Sequence, residues 1–318
     1  GMSSDITRFL RETVVRENLP GITAAITSSN GVLALGSAGI RQCSSEVPLT
    51  TGDRLHLGSC TKAMTALVIA RLVMNKELRW ETTLLEVLPE LKGMIDAEFH
   101  STTLWELLTH RSGVPANAKD WWGYGQMPLT QRRLALLKAN LSLPPVQKRG
   151  TYHYSNLGYM IAGCIAERVT GKAWEALMTD LLFRPLGMKS AGFGPPGTRG
   201  TISEPWGHAR IGGRWRARQF DNAPALGPAG RVHCSISDWA RFLSCYLPEG
   251  PSMGLDEPTR RKMVSPVGKY AAGWIIDRRT WAEGVVLTHS GSNTMWFATV
   301  WVAPALDRAF AVVTNSHD

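Results

Sequence analysis

Cysteine is scarce in this sequence and long apolar runs are absent. The 318-residue chain has five cysteines and no CxxC spacing, which argues against both a disulfide framework and a zinc site. No uninterrupted apolar run reaches the roughly 18 residues of a membrane-spanning helix. The N-terminus, GMSSDITRFLRETVVREN, is amphipathic and lacks the basic and then apolar order of a signal peptide. We expect a cytoplasmic protein if Met2 is the native start, and a periplasmic or secreted one if a signal peptide was removed.

Three common catalytic signatures are also missing. The GxSxG elbow of α/β-hydrolase esterases, the HExxH zinc motif and the GxxxxGK[ST] phosphate loop do not occur. The sequence has no internal repeat and no low-complexity segment. We therefore expect a globular protein that requires no metal and no organic cofactor.

The formal net charge is +9, but lysine and arginine are scattered along the chain. The densest basic patch, GGRWRARQF, is short and begins with glycine. Nucleic-acid binding normally needs a continuous basic stripe or patch. The charge therefore indicates a basic surface, and we expect neither a nucleic-acid nor a membrane partner.

The order of predicted elements favours an α+β fold. Helical spacing over residues 4–17 is followed by two strands that turn at residues 29–31. Helical segments then dominate from Thr61 to about residue 230, with almost no alternation, and β-rich runs return near the C-terminus. We predict an antiparallel sheet built from both termini and flanked by helices. In this scheme residues 1–58 and 232–318 form an α/β domain, residues 59–231 form a mainly helical domain, and the active site lies in the cleft between them.

The first candidate motif is HLGSCTKAMTALVIARLV, which places Ser59 and Lys62 on one face at the start of an apolar helix. Serine is a poor nucleophile unless a base lies within hydrogen-bond reach, and burial lowers a lysine pKa toward that use. An N-cap serine followed by a solvent-facing lysine is the alternative interpretation.

The second motif is YHYSNLGY, which contains Tyr154 and Asn156. Two residues apart, their side chains reach a common space only from a loop or a helix end. A tyrosine can shuttle protons, and an asparagine amide can hold both a lysine and a substrate carbonyl. A loop-tethering tyrosine and a capping asparagine are the alternative.

The third motif is LTHSGSNTMW, in which His289 and Gly291 follow a β-rich run. Glycine there would allow a ligand to approach closely, and the backbone N–H of Ser292 could point into a cleft. A second HxG, at residues 56–58, lacks a predicted strand and is interpreted as local structure. Trp121 and Trp122 are candidate apolar walls for an acyl group, with core packing as the alternative.

The motifs SxxK, YxN and HxG, in this order, resemble those of the serine β-lactamase and penicillin-binding protein superfamily, in its class C β-lactamase and DD-peptidase branch. The segments TTLWELLTHRSGVP, FRPLGMKSAGF and GPAGRVHCSISDWARFL are similar to recurrent segments of that family. The resemblance covers roughly residues 5–316 and implies the β-lactamase/transpeptidase-like fold with an acyl-enzyme mechanism.

The resemblance also implies roles for the motif residues. Ser59 would be the nucleophile, Lys62 and Tyr154 would share the acid and base work, and Asn156 would position the substrate and Lys62. The backbone N–H groups of Ser59 and Ser292 would form the oxyanion hole.

Two features depart from the family pattern. His289 stands where many relatives have lysine, which weakens recognition of a carboxylate and favours neutral esters or amides. Many relatives also continue into a C-terminal helix, so we expect either a monomer or a homodimer.

We predict a serine hydrolase that acts on a small ester, amide, β-lactam or D-peptide, with esterase, peptidase and β-lactamase activity all open. The alternative is a non-catalytic sensor or scaffold that captures acyl or peptide ligands with the same fold.

Overall fold

The largest β-structure is a six-stranded antiparallel sheet, in a computed structural model that describes residues 1–318. The strands of the chain are β1 (Gly21–Ser28), β2 (Gly31–Gly39), β3 (Arg54–His56), β4 (Gly192–Phe193), β5 (Gly207–Ile211), β6 (Arg214–Arg218), β7 (Val232–Ser235), β8 (Ile275–Arg279), β9 (Gly284–Ser292), β10 (Phe297–Ala303) and β11 (Arg308–Thr314). The sheet has the order β2–β1–β11–β10–β9–β8. Strands from the two ends of the chain meet where β1 pairs with β11, which confirms the predicted α+β fold.

Helices surround this sheet and fill the middle of the chain. They are α1 (Met2–Glu17), α2 (Thr61–Met74), α3 (Leu84–Val87), α4 (Leu104–Leu108), α5 (Leu129–Leu141), α6 (Asn156–Thr170), α7 (Trp174–Met178), α8 (Arg184–Leu186), α9 (Gly227–Gly230), α10 (Ile236–Ser244) and α11 (Glu257–Met263). A π-helical turn, Thr179–Phe183, joins α7 to α8. None of the helices combines the length and the apolar character needed to cross a bilayer.

Both faces of the sheet are covered where β1 and β2 lie. Helix α1 packs on one face, with Leu10 buried beside Ala24. Gly36 makes room for this helix, since a Cβ there would lie 2.7 Å from an α1 side chain. Ala25 points to the opposite face and belongs to the main core, on the side where α10 contacts β1 and β11. This part of the sheet is therefore a layer between helices.

The middle of the chain also contains strands that the sequence analysis did not predict. Strands β5 and β6 form a hairpin that pairs Gly207 with Arg218. In β6, exposed arginines alternate with half-buried Trp215 and Ala217. The prediction of almost no alternation between apolar and polar residues up to residue 230 is wrong here. The alternation in β6 covers only five residues, and its outward-facing residues are all arginine.

The division into two domains at residues 58/59 and 231/232 stays a prediction. All six strands of the large sheet lie outside residues 59–231, and helices α2 to α9 lie within them. A small sheet, in the order β3–β7–β4, connects the two parts and carries the chain into the Ser59 turn.

Candidate active site

Ser59 lies in a 3₁₀ turn, Gly58–Cys60, that leads directly into α2. Two glycines let this turn sit against the end of β9. Gly58 has φ 52°, and a Cβ on it would lie 2.3 Å from the backbone nitrogen of Ser292. A Cβ on Gly291 would lie 2.5 Å from the backbone nitrogen of Ser59. The backbone nitrogens of Ser59 and Ser292 are thereby brought close together beside the Ser59 side chain, which is half-buried.

The contact at Gly291 shows why this position is a glycine. The space that its missing side chain leaves is filled by the chain's own backbone, with Leu57 O only 2.3 Å from the Cβ position. The close approach that the sequence predicts at Gly291 is therefore made by the Ser59 turn, because β9 and that turn pack backbone against backbone. A substrate-contacting role for Gly291 stays a prediction.

Lys62 is fully buried one turn into α2. Its Nζ lies 3.0 Å from Ser59 Oγ, 2.7 Å from Asn156 Oδ1 and 2.8 Å from the carbonyl of Ala229 in α9. No carboxylate forms an ion pair with it, and burial lowers its pKa well below the ordinary lysine value. A neutral amine has two donors and one lone pair, so donation to the amide and carbonyl oxygens leaves the lone pair for the Ser59 hydroxyl. The solvent-facing lysine of the alternative interpretation is not found.

Tyr154 and Asn156 reach the same amine from the start of α6. Ser155 caps this helix, because its Oγ accepts a hydrogen bond of 2.9 Å from Gly158 N–H. Asn156 accepts from Lys62 and donates to Asn117 Oδ1 at 2.9 Å. The Tyr154 ring centroid lies 4.6 Å from Lys62 Nζ. Burial raises the pKa of Tyr154, with a hydrogen bond to Ser59 opposing that shift, so the phenol stays protonated near neutral pH.

His289 is buried in β9 and both ring nitrogens are engaged. Nδ1 lies 2.7 Å from the carbonyl of Ser290, which can only accept, so Nδ1 carries the proton. Nε2 then accepts the hydroxyl of Tyr270 at 2.8 Å. Burial, with Lys62 acting in the same direction, lowers the pKa of His289 to about 4. The imidazole is therefore neutral at physiological pH and provides no cation.

The two candidate tryptophans are in different surroundings. Trp121 is half-buried and packs against the main core. Trp122 is 58% exposed, and its ring centroid lies 6.0 Å from that of Phe220, which is 53% exposed. The structure thus pairs Trp122 with an aromatic residue that the sequence analysis did not single out. Their part in substrate binding stays a prediction.

His110 supports the YxN segment, although it belongs to none of the three motifs. Its Nδ1 accepts from Ser155 N–H at 3.0 Å, and its carbonyl accepts from His153 N–H at 2.8 Å. Its ring centroid lies 4.4 Å from that of Tyr154 and 4.5 Å from that of Tyr270. His110 therefore helps to fix the segment that carries Tyr154 and Asn156.

Tyr270 and His56 are two further residues near the site that sequence patterns did not single out. Tyr270 had no signal, because its partner His289 is 19 residues away in another element. The second HxG was set aside for lack of a strand, yet His56 is the last residue of β3 and Gly58 lies against the end of β9. Its position just before Ser59 was the available signal.

No group of three or more histidine, cysteine or carboxylate side chains has a geometry that could hold a metal ion. Cys60, next to Ser59, is buried, and burial raises its thiol pKa. The polar groups assembled around Ser59 are thus an amine, a phenol and a carboxamide.

The family described as Beta-lactamase matches this chain over residues 6–318. Penicillin-binding protein 4 of Amycolatopsis lactamdurans is 27% identical, over 94% of this chain and 81% of that protein. Unguisins hydrolase ungD' of Aspergillus campestris is 24% identical, over 99% of this chain. The chain spans only 62% of the length of that hydrolase.

Solved structures show the same fold at low identity. The octameric penicillin-binding protein homologue from Pyrococcus abyssi has a TM-score of 0.82 at 23% identity, covering 98% of this chain and 73% of that one. A class C β-lactamase from Rhodobacter sphaeroides has a TM-score of 0.77 at 19% identity, covering 99% and 95% of the two chains. From the match over residues 6–318, we conclude that this chain belongs to the β-lactamase family of serine hydrolases.

Proposed function

We propose that the protein is an acyl-enzyme serine hydrolase in which Ser59 is the nucleophile and Lys62 is the first general base. The observation that carries this proposal is the buried amine 3.0 Å from Ser59 Oγ with no carboxylate paired to it. Amide and carbonyl oxygens take both N–H donors of the neutral amine, which leaves its lone pair for the serine proton.

The proposed reaction has two balanced halves. In the first, the Ser59 proton passes to Lys62 Nζ while Oγ bonds to the acyl carbon, and the N–H groups of Ser59 and Ser292 stabilise the oxyanion. Tyr154 then gives its proton to the leaving group and regains one from the Lys62 ammonium, whose nitrogen lies 4.6 Å from the phenol ring centroid. In the second half, water bonds to the acyl carbon and gives a proton to Lys62 Nζ, which passes that proton to Ser59 Oγ as the Oγ–acyl bond breaks and the acid leaves. Asn156 holds Lys62 in place throughout.

We propose that the substrates are neutral esters or amides more than carboxylate-bearing β-lactams or peptides. His289, whose pKa is lowered to about 4 by burial, offers no positive charge, and its remaining lone pair is taken by Tyr270. We also propose that Trp122, with Phe220 beside it, provides an apolar wall for the acyl group. Among structural neighbours, a D-stereospecific amidohydrolase from Streptomyces has a TM-score of 0.75, which keeps D-configured amides among the candidates.

The test compares the parent with Ser59→Ala on a short-chain p-nitrophenyl ester, a D-alanyl peptide and a chromogenic cephalosporin. We expect Ser59→Ala to lose several orders of magnitude in kcat/KM, because an activated nucleophile contributes on that scale. Ser142→Ala, in an exposed serine at the end of α5, is the matched control and should keep parental rates. The ratio of the three kcat/KM values should favour the neutral ester over both the D-alanyl peptide and the cephalosporin, which carry a carboxylate.

Intact-mass analysis after acyl-donor labelling, followed by peptide mapping, locates the adduct. An adduct on Ser59 that turns over supports the hydrolase. A stable adduct on Ser59 without turnover supports the sensor instead, and full activity in Ser59→Ala contradicts both.

A further inference from the structure

Asp221 is a buried carboxylate that lies behind the proposed oxyanion hole and takes no part in the proposed proton transfers. It is 4% exposed and belongs to the segment between β6 and α9. Its two oxygens contact side chains from two other segments, His56 before Ser59 and Asn293 after Ser292. These are the two segments that supply the N–H groups of the oxyanion hole.

The first connection runs through His56. Its Nε2 lies 2.7 Å from Asp221 Oδ2, and its Nδ1 accepts the Gly58 N–H at 3.1 Å. Because Nδ1 accepts, Nε2 carries the proton and donates it to the carboxylate. His56 is fully buried, so this hydrogen bond holds the residue that immediately precedes Ser59.

The second connection runs through Asn293. Its Nδ2 donates to Asp221 Oδ1 at 3.2 Å, and its Oδ1 accepts from the N–H groups of Met295 and Trp296 at 3.1 and 3.0 Å. Asn293 directly follows Ser292 and is also buried. One carboxylate therefore fixes the residue after Ser292 as well as the residue before Ser59.

The surroundings keep Asp221 ionised. Burial alone would raise its pKa, but His56, Arg231 and Asn293 together hold the pKa below the ordinary aspartate value. Arg231 Nε lies 3.3 Å from Oδ2 and supplies a half-buried positive charge. A permanently charged acceptor makes stronger hydrogen bonds than a neutral one, which suits a residue that has to hold two backbone segments still.

We propose that Asp221 is a positioning residue that sets the spacing of the two oxyanion-hole N–H groups, through His56 on one side and Asn293 on the other. This inference rests on the proposed function and adds a residue to its machinery. The two nitrogens belong to elements far apart in sequence, and this carboxylate connects both elements, in addition to their close packing and a hydrogen bond from Cys60 Sγ to the His289 carbonyl. Small displacements of the oxyanion-hole N–H groups lower the reaction rate, because their stabilisation of the transition state depends on alignment with the developing negative charge.

The experiment uses the full chain with an ester donor whose acyl-enzyme accumulates. Asp221→Asn keeps the shape but cannot accept the His56 proton at the substituted oxygen. His56→Asn keeps an acceptor near Gly58 N–H and cuts the connection to Asp221. Asp53→Asn is the matched control, since Asp53 is equally buried at 3% and pairs with Arg41, without a bond to either oxyanion segment.

We expect Asp221→Asn to lower kcat by about 10- to 100-fold with KM nearly unchanged, less than the roughly 100- to 1000-fold loss of an entire oxyanion donor. The infrared carbonyl stretch of the acyl-enzyme should move to higher frequency, because a misaligned hole polarises the carbonyl less. His56→Asn should give the same shift, and the double variant should be no worse than either single one. Asp53→Asn should keep the parental frequency and kcat.

Two failures are distinguishable in this design. If the parent forms no adduct on Ser59, the proposed function falls. If the parent adduct forms and folded Asp221→Asn or His56→Asn keeps the parental frequency and kcat, the positioning role is overturned. Should Asp221→Asn fail to fold, as circular dichroism would show, His56→Asn decides alone.

Discussion

At the scale of single residues, the amine of Lys62 differs from an ordinary lysine in its neighbours. Three oxygens surround it, none of them a carboxylate, and no water-exposed surface remains on the side chain. Burial without a counter-ion disfavours the ammonium form, so the pKa falls and the amine can accept a proton. An amine that is kept neutral in this way is useful for catalysis and contributes no ion pair to stability.

The neutral form of the Lys62 amine predicts the effect of Lys62→Arg. A guanidinium keeps its proton at any working pH and cannot act as the base, so kcat/KM should fall by about 100- to 10,000-fold. Steady-state rates and single-turnover acylation would measure the loss. Lys92→Arg, the same change at an exposed lysine, is the matched control. Lys62→Arg activity within tenfold of the parent would assign the base to another group.

At the scale of elements, the site depends on how closely the Ser59 turn approaches β9. Two glycines face each other there, Gly58 on the turn and Gly291 on the strand. A Cβ added to either one would lie within 2.5 Å of backbone atoms on the opposite side of this contact. Backbone atoms cannot rotate away as a flexible side chain can. The turn, the strand and the two N–H groups therefore form one rigid unit.

We predict that Gly58→Ala destabilises the protein by about 2 to 5 kcal/mol, since the left-handed backbone costs roughly 1 to 2 kcal/mol and the overpacking roughly 1 to 3 kcal/mol. Gly187→Ala is the matched control, because Gly187 has φ 69° but no atom within 4 Å of the Cβ position. That variant should lose only about 1 kcal/mol. Urea unfolding of both variants measures the difference, and equal losses would show that the contact with β9 carries no strain.

At the scale of the whole molecule, buried histidines make stability depend on pH. Burial lowers the pKa of His233 and of His289 to about 4, and it also lowers the pKa of His110 and His208. The unfolded chain takes up protons near its ordinary histidine pKa of about 6.5, while the folded chain does not. The stability from these groups is therefore complete above about pH 6.5 and is lost progressively as the pH falls toward 4.

We predict that Tm falls between pH 7 and pH 5. Each of His233 and His289 should account for on the order of 2 kcal/mol over the range from about pH 6.5 to pH 5. Glu167 and Glu204 act in the opposite sense, because burial raises their carboxyl pKa, but they are fewer than the histidines. Calorimetry across this range provides the measurement, and His289→Gln should make the decrease shallower. A constant or rising Tm toward pH 5 would contradict this account.

The sequence by itself determined the local parts of the site. Spacing of three residues placed Ser59 and Lys62 on one helix face, and a serine at the N-cap position began α6 beside Tyr154 and Asn156. Alternating and helical periodicities also predicted the terminal strands and the helical middle, because these patterns arise from contacts within one element.

Only the tertiary structure decided how the distant groups meet. His56 and Asp221 are 165 positions apart, and nothing in the spacing of either residue indicates the other. The neutrality of His289 follows from burial and from Tyr270, and the close approach at Gly291 follows from packing against the Ser59 turn. Desolvation and long-range contacts depend on how the whole chain packs, so local sequence patterns do not predict them.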